Sequence, residues 1–267
     1  MRSPITDKEM ELKSRQEVIS FRKEEIPYTH FYYYCADSGE QFTTTELDEL
    51  NLNQVYNEYR DRHKIPYTRE IIRLREKLGL PATKMSLILG FGTNGYRNYE
   101  KGEVPSQAHA NLLRLVLKNI AALRDLVSQN DSLSAREKEQ ILSRISLVET
   151  AETAGESEGS YLEKIFGERL PGRFSGYVKL DMEKLGEMMT YFAQTVSPTK
   201  TMMNKLLFYS DFAYFGRTGQ SISGATYVAI DYGPVPDRYL AIFDFAIHSG
   251  FLKIQEEYYG NGYLAER

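Results

Sequence analysis

The sequence predicts a mainly α chain with small β elements, an α+β fold built in successive parts. Three observations predict it. From Glu17 to Thr44 aromatic and β-branched runs read as strands with turns. Short helical periods broken by glycine fill residues 68–126, and a second helical region after an acidic stretch ends in short strand and turn signals.

The 267 residues allow about two domains. At 42% hydrophobic and 26% charged, the composition is that of a globular chain. No run reaches the roughly 20 apolar residues of a membrane span, and the polar N-terminus lacks the apolar stretch of a signal peptide. Cys35 is the one cysteine, so no internal disulfide can form and a cytoplasmic setting is expected. The net charge of −4 is unevenly spread: residues 61–120 hold eleven Lys/Arg against five Asp/Glu, a segment of +6 that leaves −10 elsewhere. A basic segment in an acidic chain points to one module that meets phosphates and others with different work.

Val18-Ile19-Ser20-Phe21 and His30-Phe31-Tyr32-Tyr33-Tyr34 read as strands, with Ser38-Gly39 as a turn. Ser3/Thr6 and Cys35/Ser38 have the spacing of two CxxC pairs with three of the four thiols absent. One thiol with hydroxyl neighbours cannot hold zinc tightly, so the region reads either as a metal-free relic of a zinc ribbon or as a plain hairpin. Thr45 is a candidate cap for the connector that follows, which ends near Pro66.

Thr68 is a candidate cap for a helix to about Leu78, with Ile71, Leu74 and Leu78 on one face and Gly79 closing it. A second helix spans about Ala82 to Leu89, Gly90-Phe91-Gly92 turns, and Thr93 to Tyr99 forms a third. Helices return from about Gln107 to Leu117 and again through Leu126. Five short helices with a glycine turn between the second and third match a helix-turn-helix. Ser134 and Glu137 form a capping box for a helix carrying Ile141, Ile145 and Val148. Glu149 to Ser160, with four glutamates and no Lys or Arg, reads as a solvated linker.

Beyond Gly176, Asp181 caps an expected helix with Met182, Leu185, Met189 and Phe192. Ser197-Pro198 is the expected start of a helix to about Phe215, apolar nearly all round and therefore expected at the centre of its domain. Ala225 to Ile230 reads as a strand, Pro236-Asp237 as a helix start closed by Gly250, and Tyr259-Gly260-Asn261-Gly262-Tyr263 as a hairpin turn. The sequence stops five residues after Gly262, inside an expected returning strand, so a natural chain longer than Arg267 is expected. The predicted parts are 1–66, a degenerate zinc-ribbon-like β region with its connector; 67–130, the helix-turn-helix domain; 131–160, a helix and acidic linker; and 161–267, a mostly helical domain with a short β-sheet.

Catalytic signatures are missing. The four histidines His30, His63, His109 and His248 lie in separate segments without metal-ligand spacing, and there is no Walker motif, GxSxG or HExxH. Gly90-Phe-Gly-Thr-Asn-Gly95 superficially matches a dinucleotide fingerprint but lacks the strand that must precede it. No enzyme, cofactor or metal site is expected. Binding chemistry is better represented. Thr93, Asn94, Arg97 and Asn98 on the third helix suit base edges, asparagine pairing with adenine and arginine with guanine. Thr83, Lys84, Ser86 and Lys101 suit phosphates, which position without reading sequence.

The stretch Leu78-Gly79-Leu80…Leu89-Gly90-Phe91-Gly92-Thr93-Asn94…Tyr99-Glu100-Lys101-Gly102 resembles the helix-turn-helix of MqsA-type antitoxins and the wider Xre repressor family. That resemblance favours the zinc-relic reading, since such proteins carry an N-terminal zinc domain with two CxxC pairs. It also places the family's base-reading asparagine on Asn94, while Asn98 stands where a second reader is usually arginine. The later stretch Lys205–Phe212, then Thr218-Gly219-Gln220-Ser221-Ile222-Ser223-Gly224-Ala225-Thr226-Tyr227-Val228, then Tyr232-Gly233-Pro234-Val235-Pro236, resembles the Panacea (SocA-like) domain.

Together these resemblances imply a type II antitoxin that neutralises a protein toxin encoded in the same operon and represses that operon on operator DNA. Tyr214, Arg217, Tyr227, Tyr232 and Arg238 are the expected toxin-binding side chains, since Tyr and Arg dominate interface anchors. Paired operator half-sites imply a homodimer. Two alternatives remain open at this level: a repressor whose C-terminal domain senses a small ligand through the aromatics of 206–215 and 227–239, and a proteolytic adaptor.

Overall fold

The structure is a computed structural model that describes residues 1–167, 170–259 and 263–266, with side chains described outside 152–164 and as far as residue 255. It is mainly α with small antiparallel sheets, as the sequence predicts. The chain divides into two compact units, Met1–Val55 with Glu168–Arg267, and Tyr56–Gly167.

In the first unit, β1 (Glu11–Phe21) and β2 (Glu24–Tyr34) pair antiparallel, Glu11 opposite Tyr34 and Phe21 opposite Glu24, and β3 (Gln41–Phe42) adds to β2. Both long strands outrun the segments expected for them. The turn between them is Arg22-Lys23, with φ of 50° and 70°. Two left-handed residues give a hairpin turn the twist its strands need, here without glycine. The free edge of β2 is closed by side chains of helix α1 (Thr45–His63). Asn51 accepts from Phe31 N at 2.9 Å and donates to Phe31 O at 3.0 Å, and Gln54 does the same at Thr29, at 3.2 and 2.9 Å. Two amides one helical turn apart thus stand in for a missing strand. The connector of the sequence reading is this helix, capped by Thr44 rather than Thr45.

The second unit holds α2 (Thr68–Leu78), α3 (Ala82–Leu89), α4 (Gly95–Glu100), α5 (Gln107–Lys118), α6 (Ala122–Ser128) and α7 (Ala135–Phe166). Tyr67, not Thr68, is the N-cap residue of α2, and Glu70 reaches back to accept its N–H at 2.8 Å. Gly79 and Gly90 close α2 and α3 at φ of 58° and 69°, where a side chain would be strained. The expected capping box opens α7, Ser134 N donating to Glu137 at 2.9 Å and Glu137 N to Ser134 Oγ at 3.3 Å.

One apolar core runs from Ile71, Leu74 and Leu78 through Met85, Tyr96 and Leu113 to Ile141 and Ile145. Helix α7 therefore belongs to the same core as the helix-turn-helix, where the sequence reading ends that domain at 130. Arg144 donates to the Leu78 carbonyl at 3.3 Å and to that of Gly79, a cation at the C-terminal end of α2. Arg124 pairs with Glu149 at 2.5 Å. The acidic stretch expected as a linker is helical as well, because α7 continues to Phe166.

The remainder of the first unit contains a short 3-10 turn (Arg173–Ser175), α8 (Met182–Val196), α9 (Lys200–Thr218), β4 (Tyr227–Ile230), β5 (Gly233–Pro236), α10 (Tyr239–His248), β6 (Glu256–Tyr259) and β7 (Tyr263–Glu266). Asp181 caps α8, accepting from Lys184 N at 2.9 Å. Ser197-Pro198 does not start α9: Ser197 ends α8, and Thr199 caps α9 by accepting from Met202 N at 3.3 Å. Nor is α9 buried all round. Met203, Asn204, Leu207 and Asp211 face the core, while Met202, Tyr209 and Phe212 are exposed. β6 and β7 pair as the sequence expects, with Gly260, Asn261 and Gly262 outside the described residues.

Candidate functional site

The turn between α3 and α4 is held from both sides. Ser86 Oγ accepts from Tyr96 N at 2.9 Å, and Tyr96, fully buried, donates its hydroxyl to Ile71 O at 2.6 Å. Burial raises the Tyr96 pKa well above the usual phenol range. At Gly95 an added Cβ would lie 2.8 Å from Phe91 Cβ, so no other residue fits there without moving Phe91. Arg75 Nε meets Glu100 Oε1 at 2.5 Å, tying the end of α4 to α2. Arg60, itself buried, donates to Gly102 O at 2.6 Å and Glu103 O at 3.2 Å and so fixes the loop after α4.

This framework presents Thr93, Asn94, Arg97 and Asn98 as exposed side chains at the start of α4, with Lys101 exposed at its end. Arg97 makes no ion pair among the described residues, so its guanidinium is available. Thr83, Lys84, Ser86 and Thr93 line one open depression beside the turn. Two of these differ from expectation. Ser86 is 1% exposed and its hydroxyl is taken by the Tyr96 N–H, so it does not reach a phosphate. Lys84 is held by Glu137 at 2.7 Å, an ion pair that, with bonds from Ser134, lowers the Glu137 pKa to about 2. Sequence reasoning missed Arg60, which lies outside the helix-turn-helix pattern, and Glu137, whose capping role was legible but whose reach to Lys84 was not.

At the N-terminus the two relic pairs do converge. Thr6 Oγ1 lies 3.3 Å from the buried Cys35 Sγ, and Ser3 Oγ accepts from Ile5 N and Thr6 N at 3.2 and 3.3 Å, as the first residue of a knuckle does. Ser3, Ser38 and Thr6 all hydrogen-bond the Cys35 sulfur and pull its pKa down to about 6. One thiol and three hydroxyls do not make the four soft or imidazole ligands of a structural zinc, so the residues present do not fit that metal.

In the C-terminal part, the Panacea-like motif builds one buried cluster. Asp211 accepts from Ile222 N at 2.8 Å, Ser223 N at 2.9 Å, Ser223 Oγ at 2.5 Å and Tyr227 OH at 2.7 Å. Gly224, at φ 74°, lies where an added Cβ would meet Lys179 O at 2.5 Å. The expected anchors are scattered around this cluster. Tyr227 is half-buried with its hydroxyl committed to Asp211, and burial raises its pKa far above the phenol range. Tyr232 is 84% exposed at the tip of the β4–β5 hairpin, and Arg238 is exposed ahead of α10. Tyr214 and Arg217 are exposed, but at 100° per residue Tyr214 lies roughly 160° around α9 from Phe212. Phe208 and Phe212 each pack edge to face on Tyr227, with centroids 5.3 and 5.8 Å away. Phe174, 79% exposed, was not singled out by sequence, and Phe212, 53% exposed, entered there only in the Lys205–Phe212 motif and among the aromatics of 206–215.

Among the described residues no helix is long and apolar enough to cross a membrane. No curated protein matches the chain. Residues 203–265 match the family model of the antitoxin SocA-like Panacea domain. Residues 1–126 match that of MqsA, the antitoxin component of a bacterial toxin-antitoxin system, which spans both the Cys35 knuckles and the α3–α4 turn. The chain thus joins an MqsA-like antitoxin region at its N-terminus to a SocA-like Panacea antitoxin domain at its C-terminus.

Proposed function

We propose that this chain is a cytoplasmic type II antitoxin that binds a toxin encoded in the same operon through its Panacea domain and represses that operon through α3 and α4. The observation that carries the reading is the presence of two antitoxin families on one chain. Supporting the DNA arm are the exposed Thr93 and Asn94 in the turn before α4 and Arg97 and Asn98 on α4, a helix pinned by Tyr96 and Glu100. Asn94 and Arg97 read bases in the major groove; Thr83, Lys84 and Lys101 contact phosphates, and a homodimer engages paired half-sites. Supporting the toxin arm are the exposed aromatics Phe174 and Phe212, which line one cavity, and the exposed Tyr232 at the hairpin tip.

Small-ligand sensing is the weaker reading. The cavity beside Phe212, Phe215 and Tyr227 is about 90 Å³, and that beside Met203 and Phe243 about 200 Å³. Both fall below the roughly 300–1,000 Å³ of small-molecule pockets. The test is capture of the full chain together with the product of the adjacent reading frame and a fragment of their shared promoter. Recovery of both with the antitoxin supports the reading. Recovery of DNA alone would leave a repressor without a toxin and overturn it.

A further inference from the structure

The β4–β5 hairpin has one closed edge and one open edge. Ile230 pairs with Gly233 and Val228 with Val235, and Asp237 N donates to Thr226 O at 2.7 Å. In an antiparallel pair, alternate residues carry the ladder bonds. Those bonds fall at 226/237, 228/235 and 230/233, so Tyr227 and Ala229 on β4, and Pro234 and Pro236 on β5, direct their backbone groups outward. On β5 the outward positions are prolines with no donor, and Lys205 Nζ holds the Pro234 carbonyl at 2.9 Å. Proline on an outer edge blocks further strand pairing. β4 has no such protection: Val228, Ala229 and Ile230 are exposed, and the strand bears no charge.

Beside the start of β4 lies the cavity of about 90 Å³, lined by Phe174, Phe212, Phe215, Ala225 and Tyr227. Its polar wall, the Asp211 carboxylate, already accepts four hydrogen bonds, so the space favours an apolar group of side-chain size. Arg173 also lines it, its guanidinium 5.5 Å over the Phe174 ring and without an acidic partner among the described residues. Between residues 198 and 236 the one exposed acid is Asp231, at the hairpin tip.

We propose that an extended segment of the toxin adds to the outer edge of β4 as a third strand, placing an apolar side chain in the Phe174–Phe212–Tyr227 cavity and an acidic side chain against Arg173. The proposal rests on the reading that the Panacea domain is the toxin-binding part. An unpaired strand edge selects an extended backbone, the cavity selects an apolar side chain, and the unpaired cation selects an acid. A second copy of this chain is the competing occupant, with the exposed Asp231 beyond β4 as the acid it would bring to that edge, and the test separates the two.

The test uses the full chain and the purified product of the adjacent reading frame. Ala229→Pro removes the outward N–H of β4 while leaving the 226/237, 228/235 and 230/233 bonds of the hairpin intact. Binding at least tenfold weaker, an unchanged melting temperature and, in the wild-type complex, slowed hydrogen exchange at the Tyr227 and Ala229 amides are expected. Arg173→Glu should weaken binding as well. Wild-type affinity for Ala229→Pro, with both amides exchanging freely in the complex, would overturn strand addition while leaving toxin binding in place. Concentration-dependent protection of those amides without toxin would assign the edge to a second copy and also overturn it. If Ala229→Pro melts lower, Val228→Lys, on an exposed side chain, repeats the test. No binding by the wild-type chain would remove the functional reading itself, and this proposal with it.

Discussion

Ser86 Oγ accepts the Tyr96 N–H at 2.9 Å, across the turn that joins α3 to α4. The bond satisfies an N–H in the first turn of α4 and braces α4 against α3. Ser86→Ala leaves the Tyr96 amide buried and unsatisfied, which costs about 1–2 kcal/mol. Thermal unfolding should register that loss, while the salt dependence of promoter binding keeps its slope, because no phosphate contact is removed. A reduced slope at an unchanged melting temperature would put Ser86 back among the phosphate contacts.

Lys84 is bound to Glu137 at 2.7 Å in the free protein. The folded Glu137 pKa lies near 2, below its ordinary carboxylate value. Its contribution to stability is therefore complete above about pH 4.3 and lost as pH falls through 2. Urea titrations of Glu137→Gln and wild type should differ at pH 6 and converge near pH 2. The same variant frees Lys84 for phosphate, so its promoter affinity at low salt should rise a few-fold; a fall would mean that Glu137 holds Lys84 in its DNA-binding position.

Arg60 reaches the carbonyls of Gly102 and Glu103 from the C-terminal end of α1. Removing a buried charged donor from two carbonyls costs about 1.5–3 kcal/mol. Arg60→Met should lower stability by that amount and weaken promoter binding through the loop that follows α4. Calorimetry on the variant checks the first effect, and anisotropy with labelled promoter DNA the second.

Ser3, Thr6 and Ser38 surround the Cys35 sulfur, so restoring thiols at all three should recreate a tetrahedral site. The chain carrying Ser3→Cys, Thr6→Cys and Ser38→Cys together is expected to bind one zinc ion and to melt higher with it than without. Metal analysis after gel filtration decides, and substoichiometric zinc would mean that the two knuckles lack ligand geometry. In the unaltered chain the thiol titrates near 6, below its ordinary value of about 8.5. Its hydrogen bonds contribute fully above pH 8.5 and fade as pH falls through 6.

Much of this was legible in the residue order where local chemistry decides. Gly79, Gly90, Asp181 and the Ser134–Glu137 box end or start helices through backbone geometry and hydrogen bonds within a few residues, and each does so as read. What depends on distant partners was not legible. The Arg22-Lys23 turn carries none of the usual glycine signals, and its conformation is imposed by the long β1–β2 ladder. Glu149 to Ser160 has a linker's composition, yet α7 runs through it. The same limit applies at the sites. Arg97 and Asn98 are exposed on α4 because the period fixes their face, whereas Thr93 and Asn94, read as helical from the sequence, are exposed in the turn before it. Ser86, one turn from the surface residue Thr83, is buried because Tyr96 folds over it. In α9 the apolar residues outnumber the positions the core can take, so no pattern told Leu207, inside, from Phe212, outside.

The separation of the two activities is tested most directly by growth of cells expressing the adjacent reading frame together with the full chain carrying Asn94→Ala and Arg97→Ala. The account predicts growth equal to that given by the unaltered antitoxin, because neither residue lies in the Panacea domain. Continued growth arrest, with the variant folded and present at wild-type level, would contradict it.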